Sequence, residues 1–206
     1  MGNVMFMRKG EVHTAPGGLP AGYTKHSYIE SSGSQYINTG VKPNQDTRVV
    51  ICLEVTPKAT QSALFGSRTS YQDNSFGLWT RANGAGWQND YDLYIENVTA
   101  ECTGKHVFDK NKNVLSIDGE VVKTNNEVTF TGTYDMYLFT INNGGSLMTS
   151  YPTYAKLYYC QVWENDILLR DFVPCTTNDG SAGLYDLVEG KFYNNVGSGA
   201  FTYGED

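Results

Sequence analysis

The chain lacks a long apolar run at its start. Its first residues, MGNVMFMRKG, hold four apolar residues in a row, Val4 to Met7. That is too few for a signal-peptide core and far too few to cross a bilayer. Synthesis and folding in the cytoplasm, with no membrane insertion, is therefore the expectation. Positive charge is scarce as well. Fifteen Lys and Arg stand against 22 Asp and Glu, for a net charge of -7. No basic stripe is left for a phosphate backbone, so nucleic acid is not an expected partner.

Metal and nucleophile signatures are missing too. His13, His26 and His106 are dispersed without HxxxH or HExxH spacing, and Cys52, Cys102, Cys160 and Cys175 form no close CxxC pair. Zinc and redox motifs are not expected, and the cysteines read as buried thiols in a reducing compartment. The sequence has no GxSxG elbow, phosphate loop or dinucleotide fingerprint. Segments such as Asp109-Lys110-Asn111 and Asn178-Asp179-Gly180 fit turn chemistry rather than a calcium loop. No metal and no cofactor is expected. Helical periodicity, internal repeats and low-complexity tracts are also absent.

What the chain does have is aromatic rings and glycine. Its 206 residues include 15 Tyr, 9 Phe, 3 Trp and 22 Gly. Aromatics suit a pleated, half-buried surface, Gly supplies turns, and this length supports one substantial core. From Lys156 to Tyr203, short aromatic and β-branched runs are cut by Asn, Asp and Gly at intervals that predict an all-β sandwich or barrel.

Individual strands follow from alternation. Val49, Ile51, Leu53 and Val55 share one face, with Arg48, Cys52 and Glu54 on the other. Ser75 to Arg81 reads as a strand with Phe76 and Leu78 on one face and Trp79 and Arg81 on the other. Tyr91, Leu93 and Ile95 read as the inner set of a third. Asp118-Gly119 between Val114–Ile117 and Glu120–Val122 is a hairpin signal. Tyr134 to Ile141 gives another strand, and Asn165-Asp166 a turn between Lys156–Glu164 and Ile167–Val173.

Residues 1–18 read as an arm and linker, and residues 19–206 as the main domain. Val4, Met5, Phe6 and Met7 form the apolar part of the arm, and Pro16, Gly17, Gly18 and Pro20 break regular structure behind it. A small apolar strand on a tether packs on its own domain, pairs with a second copy, or adds to another protein's sheet edge.

Several segments carry a resemblance. They are LPAGYTKHSYIESSGSQYINTGVKPN at 19–44, LFGSRTSYQDNSFGLW at 64–79, NKNVLSIDGEVV at 111–122, the YYCQVWENDILLRDFVPC run, and the closing GLYDLVEGKFYNNVGSGAFT. Together they cover most of residues 19–203. In them the chain resembles concanavalin A-like lectin/glucanase domains of the laminin-G-like kind, met in phage structural proteins and gut bacterial surface proteins. The resemblance implies two curved antiparallel sheets stacked as a jelly-roll sandwich, with the N-terminal arm tying the domain to a phage particle. It also implies exposure on the virion, contact with other virion proteins and with host-surface carbohydrate, and, through repeated sites on the particle, a homo-oligomer.

Catalysis is not expected. Glucanases of this superfamily carry a Glu-apolar-Asp-apolar-apolar-Glu strand, and no such run occurs. Glycosidic cleavage needs two carboxyls at about 5 to 9.5 Å. Residues two apart in a strand lie ~6.6 Å apart, so Asp90/Asp92 and Glu164/Asp166 meet the distance, yet both pairs read as solvated turn residues. Sugar recognition needs an aromatic platform and convergent polar groups. The segment SYQDNSFGLWTRANGAGWQNDY offers Tyr71, Trp79, Arg81 and Trp87. The competing reading places Trp79 in the core, since a one-residue slip exchanges the faces. A decoration or fibre subunit without glycan binding, and a bacterial carbohydrate-binding module or glycoside hydrolase, are the alternatives.

Overall fold

Alternation sets the layers, as the strand Thr47–Val55 shows. Val49, Ile51, Leu53 and Val55 point into a common core with Phe108, Leu157, Phe172 and Leu184. On the other face, Arg48 makes a two-point ion pair with Asp109, at 2.8 and 2.7 Å. Glu54 there pairs with Lys156 at 3.4 Å and accepts from the Tyr158 hydroxyl at 2.8 Å. One face dry and one wet is what an antiparallel sheet covered on a single side requires.

The computed structural model describes residues 18–205. The apolar arm residues Val4, Met5, Phe6 and Met7 lie outside the described residues. The described chain is all β, with one 3-10 turn at Ala82–Gly84. Two sheets stack face to face as a jelly-roll sandwich. The central ladder of the larger one runs Lys105–Asn111, Thr47–Val55, Tyr154–Glu164, Ile167–Thr177, Ala182–Asp186. The smaller sheet is built on Ser62–Arg68, Ser75–Thr80, Trp87–Asp92 and Tyr94–Val98 in that order. Its far edge carries the short strands Asn142–Asn143 and Ser146–Leu147, and Asn142–Asn143 pairs with Ser62–Arg68 in parallel.

The two expected hairpin turns are present. Asp118 and Gly119 have φ of 52° and 87°, and Asn165 and Asp166 have 49° and 62°, the left-handed pair that a tight two-residue turn uses. All four cysteines are buried, and none is in a disulfide.

Two strand expectations and one turn expectation are corrected. Tyr91, Leu93 and Ile95 do not share a face, because the chain reverses at Asp92, whose φ is 52°, and two strands replace one. Leu93 is left exposed at that turn. The strand expected over Tyr134–Ile141 shrinks to Tyr137–Leu138, since Phe139 takes a φ of 67° and its amide donates to the Leu64 carbonyl. Asp109-Lys110-Asn111 is the end of the strand Lys105–Asn111, and Lys110 is fully buried.

Candidate functional site

The outer face of the smaller sheet begins with two glycines side by side. Gly66 and Gly77 are cross-strand partners. A Cβ on Gly66, whose φ is 145°, would meet the Phe76 carbonyl oxygen at 2.3 Å, and one on Gly77 would meet the Phe65 oxygen at 2.7 Å. The Ile141 Cδ1 occupies the space above both, 3.1 and 3.0 Å from those positions. Their missing side chains thus create a flat floor onto which Ile141 packs.

Trp79 lies on this face, opposite Phe76 and Leu78, as its place in the strand predicts. It does not project into solvent. A bulge between Ala63 and Phe65 leaves Ala63 on the outer side, and Trp79 packs with Ala63 and Ile141 under Met148 and Tyr151. The Tyr151 ring meets the indole edge-on at 5.5 Å, and Trp79 is only 2% exposed. The expectation of an exposed Trp79 platform is corrected: the face is right, but side chains from a distant part of the chain roof it.

Beneath the indole sits Asp90, fully buried on the next strand. Its Oδ2 accepts from Trp79 Nε1 at 2.7 Å and from the Ser75 hydroxyl at 3.2 Å, and its Oδ1 accepts from Gln88 Nε2 at 2.9 Å. Burial pushes the Asp90 carboxyl upward, while the bonds from Gln88 and Trp79 and the nearby positive charges of Lys110 and Arg68 oppose that rise. Gln88 in turn accepts from Arg81 and Gln61, each at 3.2 Å. Five polar side chains therefore lock the indole in one orientation, because each donor would lose a buried partner by moving.

Arg68 forms the rim. Its guanidinium carbon lies 5.5 Å from the Trp79 ring centroid and 5.8 Å from that of Tyr71, and its Nε–H donates to Asn143 Oδ1 at 2.7 Å. Tyr71 is 63% exposed. The loop that carries it is tied at both sides: Thr69 N–H donates to the Asp73 carbonyl, Gln72 Nε2 to the Leu93 carbonyl, and Asn74 N–H to Asp92 Oδ1. Tyr71, Trp79 and Arg81 thus come together on one face, joined by Arg68, Gln88 and Tyr151.

Trp87 does not join them. It opens the strand Trp87–Asp92 on the core side, is 0% exposed, and packs edge-on against Phe108 at 4.7 Å. Its indole N–H donates to the Glu101 carbonyl at 3.0 Å. Trp87 is a core residue, and its assignment to a cleft is corrected.

Three of the four carboxylates weighed for catalysis are held in structural bonds. Asp90 is enclosed as above, and Asp92 accepts from the Asn74 amide. Glu164 accepts from Asn44 Nδ2 at 2.8 Å, and Asp166 sits in the hairpin turn. A groove of about 470 Å³ opens elsewhere, beside Arg170, Glu189 and Tyr193. There Arg170 donates to the Thr39 and Leu169 carbonyls and pairs with Glu189 at 2.8 Å and Asp186 at 3.6 Å. Its Nε and one terminal nitrogen are thus engaged by the fold.

No protein-family model matches the chain, and no curated protein matches it. Among solved structures it is similar to the CBM40 of the Ruminococcus gnavus IT-sialidase bound to α2,3-sialyllactose. Identity is 18% and the TM-score 0.49, over 71% of this chain and 92% of that one.

Proposed function

We propose that this chain is a non-enzymatic binding module that offers the outer face of its smaller sheet to surface carbohydrate. The observation that carries the reading is the row Tyr71, Arg68, Trp79, Tyr151. An exposed tyrosine stands over a guanidinium that is fixed by Asn143 and backed by a locked indole. A sugar stacks its apolar face on such a ring and gives its hydroxyls to the neighbouring amide and guanidinium groups. Arg81, Gln61 and Asn143 supply those groups. The enclosed Asp90 and the bonded Asp92 and Glu164 leave neither candidate pair with two free carboxylates, which supports recognition without cleavage.

The placing of the module on a phage particle, held by residues 1–18 and repeated as a homo-oligomer, rests on the sequence resemblance of residues 19–203. A glycan array tests the binding reading, with Tyr71→Ala and Tyr151→Ala beside the unaltered protein. Loss of binding in both variants is the expected result, with thermal stability unchanged for the exposed Tyr71→Ala and lowered for Tyr151→Ala, whose ring packs on Trp79. Equal binding by all three proteins would remove this face. An unaltered protein that binds no glycan, while still attaching to particles, would make it a purely structural subunit.

A further inference from the structure

The four arginines among the described residues divide into two kinds. Arg48 is paired two-point with Asp109, and Arg170 with Glu189 and Asp186. Arg68 and Arg81 make no ion pair among the described residues. Arg68 uses only Nε, toward Asn143, and Arg81 uses only one terminal nitrogen, toward Gln88. Both stand on the outer face of the smaller sheet, Arg68 against the Trp79 indole and Arg81 linked to it through Gln88 and Asp90. The carboxylate whose field reaches Arg68 is Asp90, and its oxygens are already taken by Trp79, Ser75 and Gln88.

Two guanidinium groups on one face thus lack a direct carboxylate contact among the described residues, in a chain of net charge -7 where acidic side chains are plentiful. Arg68 is also restrained: two rings stack near it and an amide holds Nε, so its terminal N–H groups remain available at little conformational cost. A planar fork of this kind matches an oxyanion with two accessible oxygens better than it matches a hydroxyl. Building on the carbohydrate reading above, the geometry points to a glycan that carries an oxyanion, a carboxylate or a sulfate ester. Arg68 receives that group, Arg81 stands as the second cation, and Tyr71 stacks on the sugar ring. Arg68 is then the residue that sets specificity, since a neutral sugar leaves its charge unmatched.

Isothermal titration with three oligosaccharides of the same backbone tests this: one neutral, one with a carboxylate, one with a sulfate ester. The acidic ligand is expected to bind about tenfold or more tighter than the neutral one. Arg68→Gln is expected to cost the acidic ligand about tenfold or more and the neutral one far less, so that the difference between the two disappears. Arg68→Lys, which keeps charge without the fork, falls between. Arg81→Gln removes the second cation without altering the stack of Arg68 on Trp79 and Tyr71, and it is expected to weaken the acidic ligand by a larger factor than the neutral one, which guards against a misfolded Arg68 variant. Whichever acidic ligand binds tighter identifies the oxyanion. A protein that binds neutral and acidic ligands equally overturns the inference and leaves the carbohydrate reading standing. Parallel loss of neutral and acidic binding in Arg68→Gln overturns it as well. Failure to bind any of the three removes both.

Discussion

The indole N–H of Trp79 donates to Oδ2 of the buried Asp90 at 2.7 Å, across adjacent strands of the smaller sheet and on the side away from the core. A hydrogen bond to a carboxylate is stronger than one between neutral groups, and a buried acceptor left short of donors costs more again. Trp79→Phe removes the N–H and keeps most of the ring, so a loss of roughly 1.5 to 3 kcal/mol is expected in urea unfolding. Asp90→Leu strands the donors of Trp79, Ser75 and Gln88 and costs at least as much. The double variant is expected to cost clearly less than the sum of the two. Strict additivity would show that the bond does not fix the indole.

Gly66 gives a sharper test of the floor under Ile141. Alanine there meets two obstacles: a φ of 145°, and a Cβ 2.3 Å from the Phe76 oxygen and 2.7 Å from the Gly77 Cα, both backbone atoms. Gly119 shares the positive φ, at 87°, but has nothing within 4 Å of its Cβ position. Gly119→Ala should therefore cost about 1 to 2 kcal/mol, the strain alone. Gly66→Ala should cost more than about 4 kcal/mol or prevent folding. Equal midpoints for the two variants in chemical denaturation would refute the clash.

Much of this architecture is legible from alternation and turn residues, because a side-chain period of two and a positive-φ pair are local properties. The opposition of Trp79 to Phe76 and Leu78, and the turns at Asp118-Gly119 and Asn165-Asp166, belong to that class. The roof over Trp79 does not: Ile141, Met148 and Tyr151 arrive from far along the chain, and no local pattern announces them. Trp87 follows Gly84-Ala85-Gly86 and so reads as a loop residue, yet its N–H is claimed by Glu101 across a hairpin. The turn at Asp92 hides inside an unbroken Tyr91, Leu93, Ile95 alternation, since an aspartate at positive φ replaces the expected glycine. A one-residue bulge between Leu157 and Tyr159 likewise puts both Leu157 and Cys160 into the core. Arg68 draws no notice in sequence because its meaning lies in what it fails to pair with.

The arm supplies a third prediction. Residues 18–205 close a continuous core around Phe65, Phe76, Phe108 and Phe172, so deletion of residues 1–15 is expected to leave the thermal midpoint unchanged. If the proposed phage-particle role is right, the same deletion should abolish attachment to the particle. A deletion that lowers the midpoint while attachment persists would assign the apolar segment to this domain's own packing instead.

Lys110 makes the domain sensitive to pH near neutrality. Its ammonium is fully buried between the sheets, donates to Asn89 Oδ1 at 2.6 Å, and lies 4.6 and 5.5 Å from the Phe76 and Tyr91 ring centroids. Burial lowers its pKa from 10.5 to about 7, against the opposing pull of Asp90. A cation whose pKa is depressed in the folded state binds its proton less readily there than in the unfolded chain. Its contribution to stability is therefore complete above pH 10.5 and is lost as pH falls toward about 7. Stability should rise from neutrality upward, with a limiting slope of about 1.4 kcal/mol per pH unit. The thiols act in the opposite sense only at higher pH: Cys102, pushed from 9.0 to about 11, loses stability as pH rises through that range. Urea unfolding between roughly pH 7 and 8.5 lies below the thiol range, and because burial also raises the neighbouring Asp90 carboxyl, which pulls the other way, the lysine is read from the difference in slope between the unaltered protein and a charge-free variant. Lys110→Met fills the same space without a charge. It is expected to be more stable than the unaltered protein at pH 7, with the upward slope abolished. An identical slope in the two proteins would show that Lys110 stays protonated in the core throughout.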